Sequence, residues 1–239
     1  MAEEKQDAVM LAALEEGLPA LHLALTQQQK ETLCSFGAAV LKQNEVMNLT
    51  AITDPAQAAR LHLLDSLTAA DAAGGLSGRL IDVGCGAGFP GVPLAVACPE
   101  LKVTLLDSLG KRVSWLENTL PGLGIRAECI TARAEEAAAP RRESFDYAVS
   151  RAVARLNILL ELTAPYVKVG GCVLAMKGAA ALEELDEARS AAKKLGLEPE
   201  KICEYRIDGQ HHNVLIFRKT GPTPKQYPRR YAKIKQSPL

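Results

Sequence analysis

Residues 80–96, LIDVGCGAGFPGVPLAV, carry an apolar strand into a glycine-rich loop and then into a helix. Nucleotide-type cofactors are held in this way in α/β folds. Two glycine readings compete. Gly86, Gly88 and Gly91 fit G-x-G-x-x-G, the dinucleotide fingerprint, whereas Gly84, Gly86 and Gly88 fit G-x-G-x-G. In a dinucleotide fold the first glycine closes the strand directly. The strand ends at Val83, so that glycine is Gly84, and the third required glycine then falls at Phe89. The fingerprint fails. Asp82 is the second clue, because a carboxylate beneath the loop repels a pyrophosphate but suits a cationic ligand. S-adenosylmethionine has no phosphate and carries a sulfonium and an α-ammonium. For it the loop needs glycines for close backbone approach rather than for cradling an anion. Gly84, Gly86 and Gly88 are therefore expected to wrap its methionine end. Asp107 closes the next strand, in VTLLDS, where its carboxylate can accept both ribose hydroxyls; dinucleotide folds share that position, so it does not discriminate.

Outward from the loop, the pattern alternates. Strands are expected at 79–83, 102–106, 126–131, 145–149 and 171–176, and helices at 90–97, 110–120, 154–164 and 180–195. Two more strands follow near 201–207 and 212–218. Such alternation predicts an α/β fold whose mainly parallel sheet is covered on both faces, with the last two strands as an antiparallel hairpin at its edge. Residues 5 to 72 read as helices only. Leu33, Phe36, Val40 and Leu41 share one helical face, and Thr53 or Asp54, ahead of Pro55, can cap a helix start. The glycine-rich break DAAGGLSGR separates this region from the first strand. The expected division is a helical cap (1–75), a sheet domain (76–220) and a tail (221–239). Pro222, Pro224 and Pro228 predict that the tail is extended rather than helical.

Composition narrows the setting. Apolar residues make up 48% of 239, enough for a proper core. No apolar run approaches the roughly 20 residues of a membrane span, and the start, MAEEKQDAVM, lacks the pattern of a signal peptide. The six cysteines are scattered, without a C-x-x-C pair or a histidine at metal spacing. Reduced thiols in a cytoplasmic protein without a structural metal are expected. The zero net charge hides an asymmetry. The first 208 residues hold all 28 acidic groups and 21 of the 28 basic ones, a net charge of −7. The remaining seven cations are Arg218, Lys219, Lys225, Arg229, Arg230, Lys233 and Lys235. A basic tail on an acidic body suggests a polyanionic partner, the alternative being a solubilising end. If it is the former, the tail reaches along that polyanion from outside the sheet and leaves cofactor affinity alone.

IDVGCGAGFPGVPLA followed by LLDSLGKRVSWLE resembles the bacterial glucose-inhibited division protein B family, guanine-N7 methyltransferases of small-subunit (16S) ribosomal RNA. NEVMNLTAITDPAQAARLHLLDSL and FDYAVSRAVARL resemble two further motifs of that family, in the same order, so the similarity runs from about residue 26 to 219. The resemblance implies a class I S-adenosylmethionine-dependent methyltransferase, Rossmann-like and seven-stranded, with an N-terminal helical cap. It implies cofactor contacts at Gly84, Phe89, Ala134, Glu135 and Arg151. Phe89 either shields the sulfonium or packs in the core. Ala134 and Glu135 follow the third strand, where backbone amides can read the adenine edge. Arg151, after the fourth strand, could hold the cofactor carboxylate or an RNA phosphate by a bidentate contact. Asn48, His62, Asp65 and Ser66 come from the cap motif, and His62 and Asp65, three apart on one helix, could project together toward the cofactor. Lys111, Arg112, Arg229 and Arg230 are candidate RNA contacts.

The expected reaction asks little acid–base chemistry of the protein. Exocyclic base amines are typically served by an Asn/Asp-Pro-Pro-Tyr box after the fourth strand, where this chain reads SRAV. Pyrimidine C5 needs a nucleophilic cysteine, commonly in Pro-Cys, which the chain lacks. Guanine N7 already bears a lone pair and no proton, so alignment alone can carry the transfer, and no catalytic acid or base is expected. Aromatic residues are 4% of the chain, too few for an extended stacking surface, though Tyr227 and Tyr231 are candidate stackers. A small-molecule methyltransferase and a non-catalytic assembly factor for the small subunit remain as alternatives. A monomer is expected.

Overall fold

The computed structural model describes residues 2–239, with side chains from Gln6 onward. The N-terminal region is helical, as its patterning predicts: α1 (Ala2–Gly17), α2 (Gln27–Met47), α3 (Pro55–Ala58) and α4 (Asp65–Ala73). A π-helical turn, Ala59–Leu64, joins α3 to α4. Asp54 rather than Thr53 caps α3, its Oδ1 accepting from the Gln57 N–H at 2.8 Å. A second helix start carries its own signal. Thr26 Oγ1 accepts from the Gln29 N–H (3.2 Å) while Gln29 Oε1 accepts from the Thr26 N–H (2.8 Å), a reciprocal capping box at α2. Leu33, Phe36, Val40 and Leu41 are all buried on one side of that helix.

The sheet region then alternates as expected. It runs β1 (Gly78–Val83), α5 (Gly91–Ala97), β2 (Leu101–Asp107), α6 (Gly110–Thr119), β3 (Ala127–Thr131), α7 (Ala134–Ala137) and β4 (Phe145–Arg151). It continues through α8 (Leu156–Thr163), β5 (Val167–Lys177), α9 (Ala181–Leu195), β6 (Leu197–Ile207) and β7 (Gln210–Lys219) to α10 (Tyr231–Gln236). The seven strands lie in the order β3-β2-β1-β4-β5-β7-β6. All pairings from β3 to β5 are parallel, and β7 is antiparallel to both β5 and β6. β6 starts at Leu197, four residues earlier than its patterning suggests, because its exposed Glu198, Pro199 and Glu200 dilute the apolar alternation.

Strand alternation sorts the core into two layers. Leu80, Leu174, Met176, Val214 and Ile216 face the cap and join one cluster with Met10, Phe36, Leu63 and Leu67. Ile81, Val83, Val173, Ala175, Leu215 and Phe217 face the opposite side, against α8 and α9. Cap and sheet thus share a hydrophobic core.

The tail corrects two expectations. It is non-helical only to Arg230, and beyond Pro228 the segment Tyr231–Gln236 forms α10, anchored by the fully buried Ile234. No helix breaker interrupts YAKIKQ, so Pro222, Pro224 and Pro228 govern only the stretch before it. Nor is the tail an arm lying outside the fold. Arg142 donates to the carbonyls of Tyr227 (Nη1, 2.8 Å), Thr223 (Nη2, 2.5 Å) and Pro224 (Nη2, 3.0 Å). Lys219 ends β7 with its Nζ buried, donating to Thr223 Oγ1 at 2.6 Å. Arg229, expected on RNA, is engaged instead by Glu161, a fully buried carboxylate on α8. Of the seven C-terminal cations, Arg218, Lys219 and Arg229 pair with Glu200, Glu143 and Glu161, which leaves Lys225, Arg230, Lys233 and Lys235 exposed.

Candidate active site

From β1 the chain winds outward to β2 and β3, then returns to the other side of β1 as β4. Such a reversal opens a crevice at the carboxyl ends of the strands. The crevice here is a cleft of about 320 Å³, lined among others by Gly84, Gly86, Asp107, Arg112, Ala134 and Glu135. The backbone has φ of +78° at Gly84 and +55° at Gly86, conformations that a side chain strains. Asp107 accepts from the Gly86 N–H (Oδ2, 2.9 Å) and from the Leu109 N–H (Oδ1, 2.8 Å). It ties the two loops together while each oxygen keeps a lone pair that a hydroxyl can use.

Two expected loop contacts lie elsewhere. Gly88 is absent from the cleft wall. A Cβ there would come within 2.8–2.9 Å of Val92, Leu116 and Phe36, and the backbone φ is +100°, so core packing and backbone conformation require glycine at 88 without any cofactor contact. Asp82 is also absent from the wall. It is fully buried behind the loop, where Oδ2 accepts from the Gly91 N–H at 2.7 Å and fixes the start of α5. Oδ1 has no partner. Burial pushes this carboxyl up to about 7, against the hydrogen bond from Gly91. The structure therefore makes Asp82 an anchor of the loop rather than a contact for a cation.

Beside the first cleft lies a second, of about 590 Å³, bordered by His62, Asp65, Arg151, Lys177, His212 and others. Ala152 and Val153, just past β4, line both. Arg151 Nη1 donates to Asp65 Oδ2 at 2.6 Å and to the Leu61 carbonyl at 3.1 Å. Asp65 Oδ1 lies 2.8 Å from His212 Nδ1. Burial would raise the Asp65 carboxyl, but hydrogen bonds from His212 and Arg151 hold it below its ordinary value. Phe89 is buried, its ring stacked on His62 (4.7 Å, 19°), near Phe36 (5.3 Å) and under the Arg151 guanidinium (5.4 Å). Between its two expected roles, this packing favours the core. His62 and Asp65 do project together from the cap, with Arg151 between them. Asn48 does not join them. It ends α2 in the left-handed conformation (φ 51°) and borders a groove of the cap. Ser66 is buried and donates to the His62 carbonyl at 2.5 Å. Lys111 is exposed beside Arg112 on α6, and Arg230 is exposed at the tail.

Burial, and then the charge of Arg151, push His62 down to about 4 from 6.5, and its Nε2 sits 2.7 Å from Thr50 Oγ1. A neutral His62 has a measurable consequence. Between pH 6.5 and 4 the unfolded chain binds a proton that the folded one refuses, so this group's contribution to stability is lost as pH falls through that window. A shift of this size corresponds to up to about 3 kcal/mol. Asp82 acts with the opposite sign, because its raised folded value costs stability as pH rises from 3.8 to about 7. The expected result is that His62→Gln is the more acid-tolerant protein relative to its own stability at pH 7. Urea unfolding of both proteins at pH 7 and pH 5 decides, and parallel pH profiles would show His62 to be charged in the fold.

Two residues that the sequence did not assign to the site border it in the structure. His212 arrives through the β5–β7 pairing, which matches Lys177 with Asn213; nothing short of that register could have placed it. Tyr231 reaches the first cleft from the tail, although the sequence suggests it only as an RNA stacker.

A family model described as rRNA small subunit methyltransferase G matches residues 29–213. Ribosomal RNA small subunit methyltransferase G of Alkaliphilus oremlandii is 40% identical over 232 residues, covering 95% of this chain and 97% of that protein. The protein of the same name from Clostridium beijerinckii is 41% identical, covering 91% and 93%. That from a Thermoanaerobacter species is 42% identical, covering 94% and 96%. Among solved structures, TrmN from Thermus thermophilus aligns with a TM-score of 0.50 at 18% identity, over 64% of this chain and 48% of that one. A protein studied in the conversion of a disulfide bond into a thioacetal group during echinomycin biosynthesis aligns at 0.51 and 19% identity, over 65% and 81%. The fold is that of a class I S-adenosylmethionine-dependent methyltransferase, a mostly parallel seven-stranded sheet in which β7 alone runs antiparallel, between β5 and the edge strand β6.

Proposed function

The chain belongs to the rRNA small subunit methyltransferase G family, and we propose that it transfers a methyl group from S-adenosylmethionine to N7 of a guanine in 16S ribosomal RNA. The observation that carries this reading is the pair of clefts meeting at Ala152 and Val153. One bears the glycine loop and Asp107, which suit the methionine and ribose of the cofactor. The other opens beside the end of β4, where the acceptor base must sit for in-line attack on the sulfonium methyl. The cofactor supplies an activated methyl group, and the protein supplies position.

The ionisable groups of the second cleft fit that division. Asp65 is committed to Arg151 and His212, and His62 is held neutral. With their affinities for a proton lowered in this way, both are weak bases, and N7 carries no proton to remove. Alignment of two bound reactants can supply about 7 kcal/mol or more of the barrier. Lys111, Arg112 and Arg230 are proposed to meet RNA phosphates around the cleft, and a guanine in a loop or in a partly assembled particle is the accessible acceptor. The protein is proposed to act as a cytoplasmic monomer on the small subunit or its precursor. No helix among the described residues is long and apolar enough to cross a membrane.

The test is transfer of a labelled methyl group to small subunits from cells that lack the gene. One labelled guanine, mapped to N7 by its cleavage chemistry, is the expected outcome. Label on a small molecule alone would give the reaction to another substrate class. Tight subunit binding with no transfer at saturating cofactor would make the chain an assembly factor.

A further inference from the structure

The C-terminal tail supplies a wall of the cofactor cleft. Tyr231, the first residue of α10, lines the same cleft as Gly84 and Asp107. It stands on the side formed by Ala132, Arg133, Ala134 and Glu135, past the end of β3. The Arg133 guanidinium lies 5.9 Å from the centre of the Tyr231 ring. Because Asp107 marks the ribose position, an adenosine extended from it toward Ala134 and Glu135 brings its base to Tyr231.

The tyrosine is held there by a built latch. Glu161 is completely buried on α8, next to Leu162, itself part of the cleft wall. Its Oε1 accepts from the backbone N–H and the Nε of Arg229 (2.9 and 2.8 Å), and its Oε2 from Nη2 (2.5 Å). Only Arg230 separates this three-bonded clamp from Tyr231. Ile234, buried one turn further on, pins the other end of α10. A carboxylate taken out of water is costly unless fully paired, so the pairing ties the tail tightly to the cleft. A tail whose only task is to trail along RNA would need neither a buried anchor nor an aromatic ring at the cofactor.

We propose that Tyr231 is a cofactor-binding residue that packs against the adenine of S-adenosylmethionine, with the Arg229–Glu161 pair as its positioning latch. This rests on the reading of the first cleft as the cofactor site. Stacking of a base on an aromatic ring is worth about 1–3 kcal/mol by alanine substitution, which corresponds to a loss of about five- to a hundredfold in affinity.

The full chain is titrated calorimetrically with S-adenosylhomocysteine, the stable product, as wild type, Tyr231→Ala, Tyr231→Phe and Lys235→Ala. Thermal unfolding without ligand is measured alongside. Tyr231→Ala is expected to bind at least about fivefold more weakly, with Tyr231→Phe and Lys235→Ala near wild type. A purely structural role would lower the unfolding temperature of Tyr231→Ala and leave its affinity intact, which overturns the proposal. If Tyr231→Ala does not fold, hydrogen exchange in the wild type decides. Amides of residues 229–236 are expected to be protected by saturating S-adenosylhomocysteine, and no change there overturns the proposal. Failure of the wild type to bind at all refutes the reading of the cleft itself, a result distinct from equal binding by wild type and Tyr231→Ala.

Discussion

Gly84→Asp is expected to abolish binding of S-adenosylmethionine, by about a hundredfold or more, while leaving a folded protein. The position tolerates no side chain for two separate reasons. Its φ of +78° costs a non-glycine residue roughly 1–2 kcal/mol. A Cβ there would also lie 2.4 Å from Val153 Cγ2. Val153 is 37% exposed on the loop after β4, so it can yield and let the chain fold. Its retreat, however, carries the new carboxylate into the cleft and shifts one of the two residues that both clefts share. Gly74→Asp separates the two effects. Gly74 has a φ of +69° at the end of α4 with nothing within 4 Å of an added Cβ, so it takes the backbone strain far from the cleft. Calorimetry should find cofactor affinity near wild type for Gly74→Asp and none for Gly84→Asp. A folded Gly84→Asp protein with normal affinity would refute the assignment of the loop.

What the sequence made legible was local. The end of β1 at Val83 sets the place of Gly84, and VTLLDS sets Asp107 at the end of β2, because an apolar run and its terminator are neighbours in the chain. The alternation that predicts a parallel sheet is likewise read element by element. Asp82 shows where this reasoning stops. Its position just before the loop suggested a partner for a cation, but strand alternation turns its side chain toward the buried cap side, where the Gly91 N–H takes it. Gly88 shows the same limit, since its neighbours Phe36 and Leu116 come from α2 and α6. Both residues fit the motif, and both are fixed by contacts that only the assembled layers create. The meeting of Arg151, Asp65 and His212 is longer in range still, joining residues 65, 151 and 212 from the cap, β4 and β7. Nothing in the run of basic residues at the tail points to Glu161, in the middle of the apolar LNILLELT, as the partner of one of them.

That buried carboxylate makes Arg229 the most consequential residue of the tail for stability. Arg229→Ala leaves Glu161 in the core of the α8 layer with its three donors reduced to the backbone N–H. Removing one partner of a buried ion pair costs about 3–5 kcal/mol, and in a chain of this size that lowers the unfolding temperature by roughly 6–20 °C. Arg230→Ala, one residue on but exposed, should shift it by no more than about 1–2 °C, as surface substitutions do. The double variant Glu161→Leu with Arg229→Leu should recover most of the loss, because the uncompensated charge is gone. Removal of the whole tail after Thr220 is harsher. It also takes the carbonyls that Arg142 holds and the Thr223 hydroxyl that meets Lys219 Nζ. A truncated protein is therefore expected to lose stability and cofactor affinity together. This reverses the expectation, drawn from charge alone, that only RNA binding would suffer. Scanning calorimetry on Arg229→Ala, Arg230→Ala and the double variant is the decisive comparison. Equal unfolding temperatures for the two single variants would mean that water reaches Glu161 and that the tail holds to the fold by Arg142 and Ile234 alone.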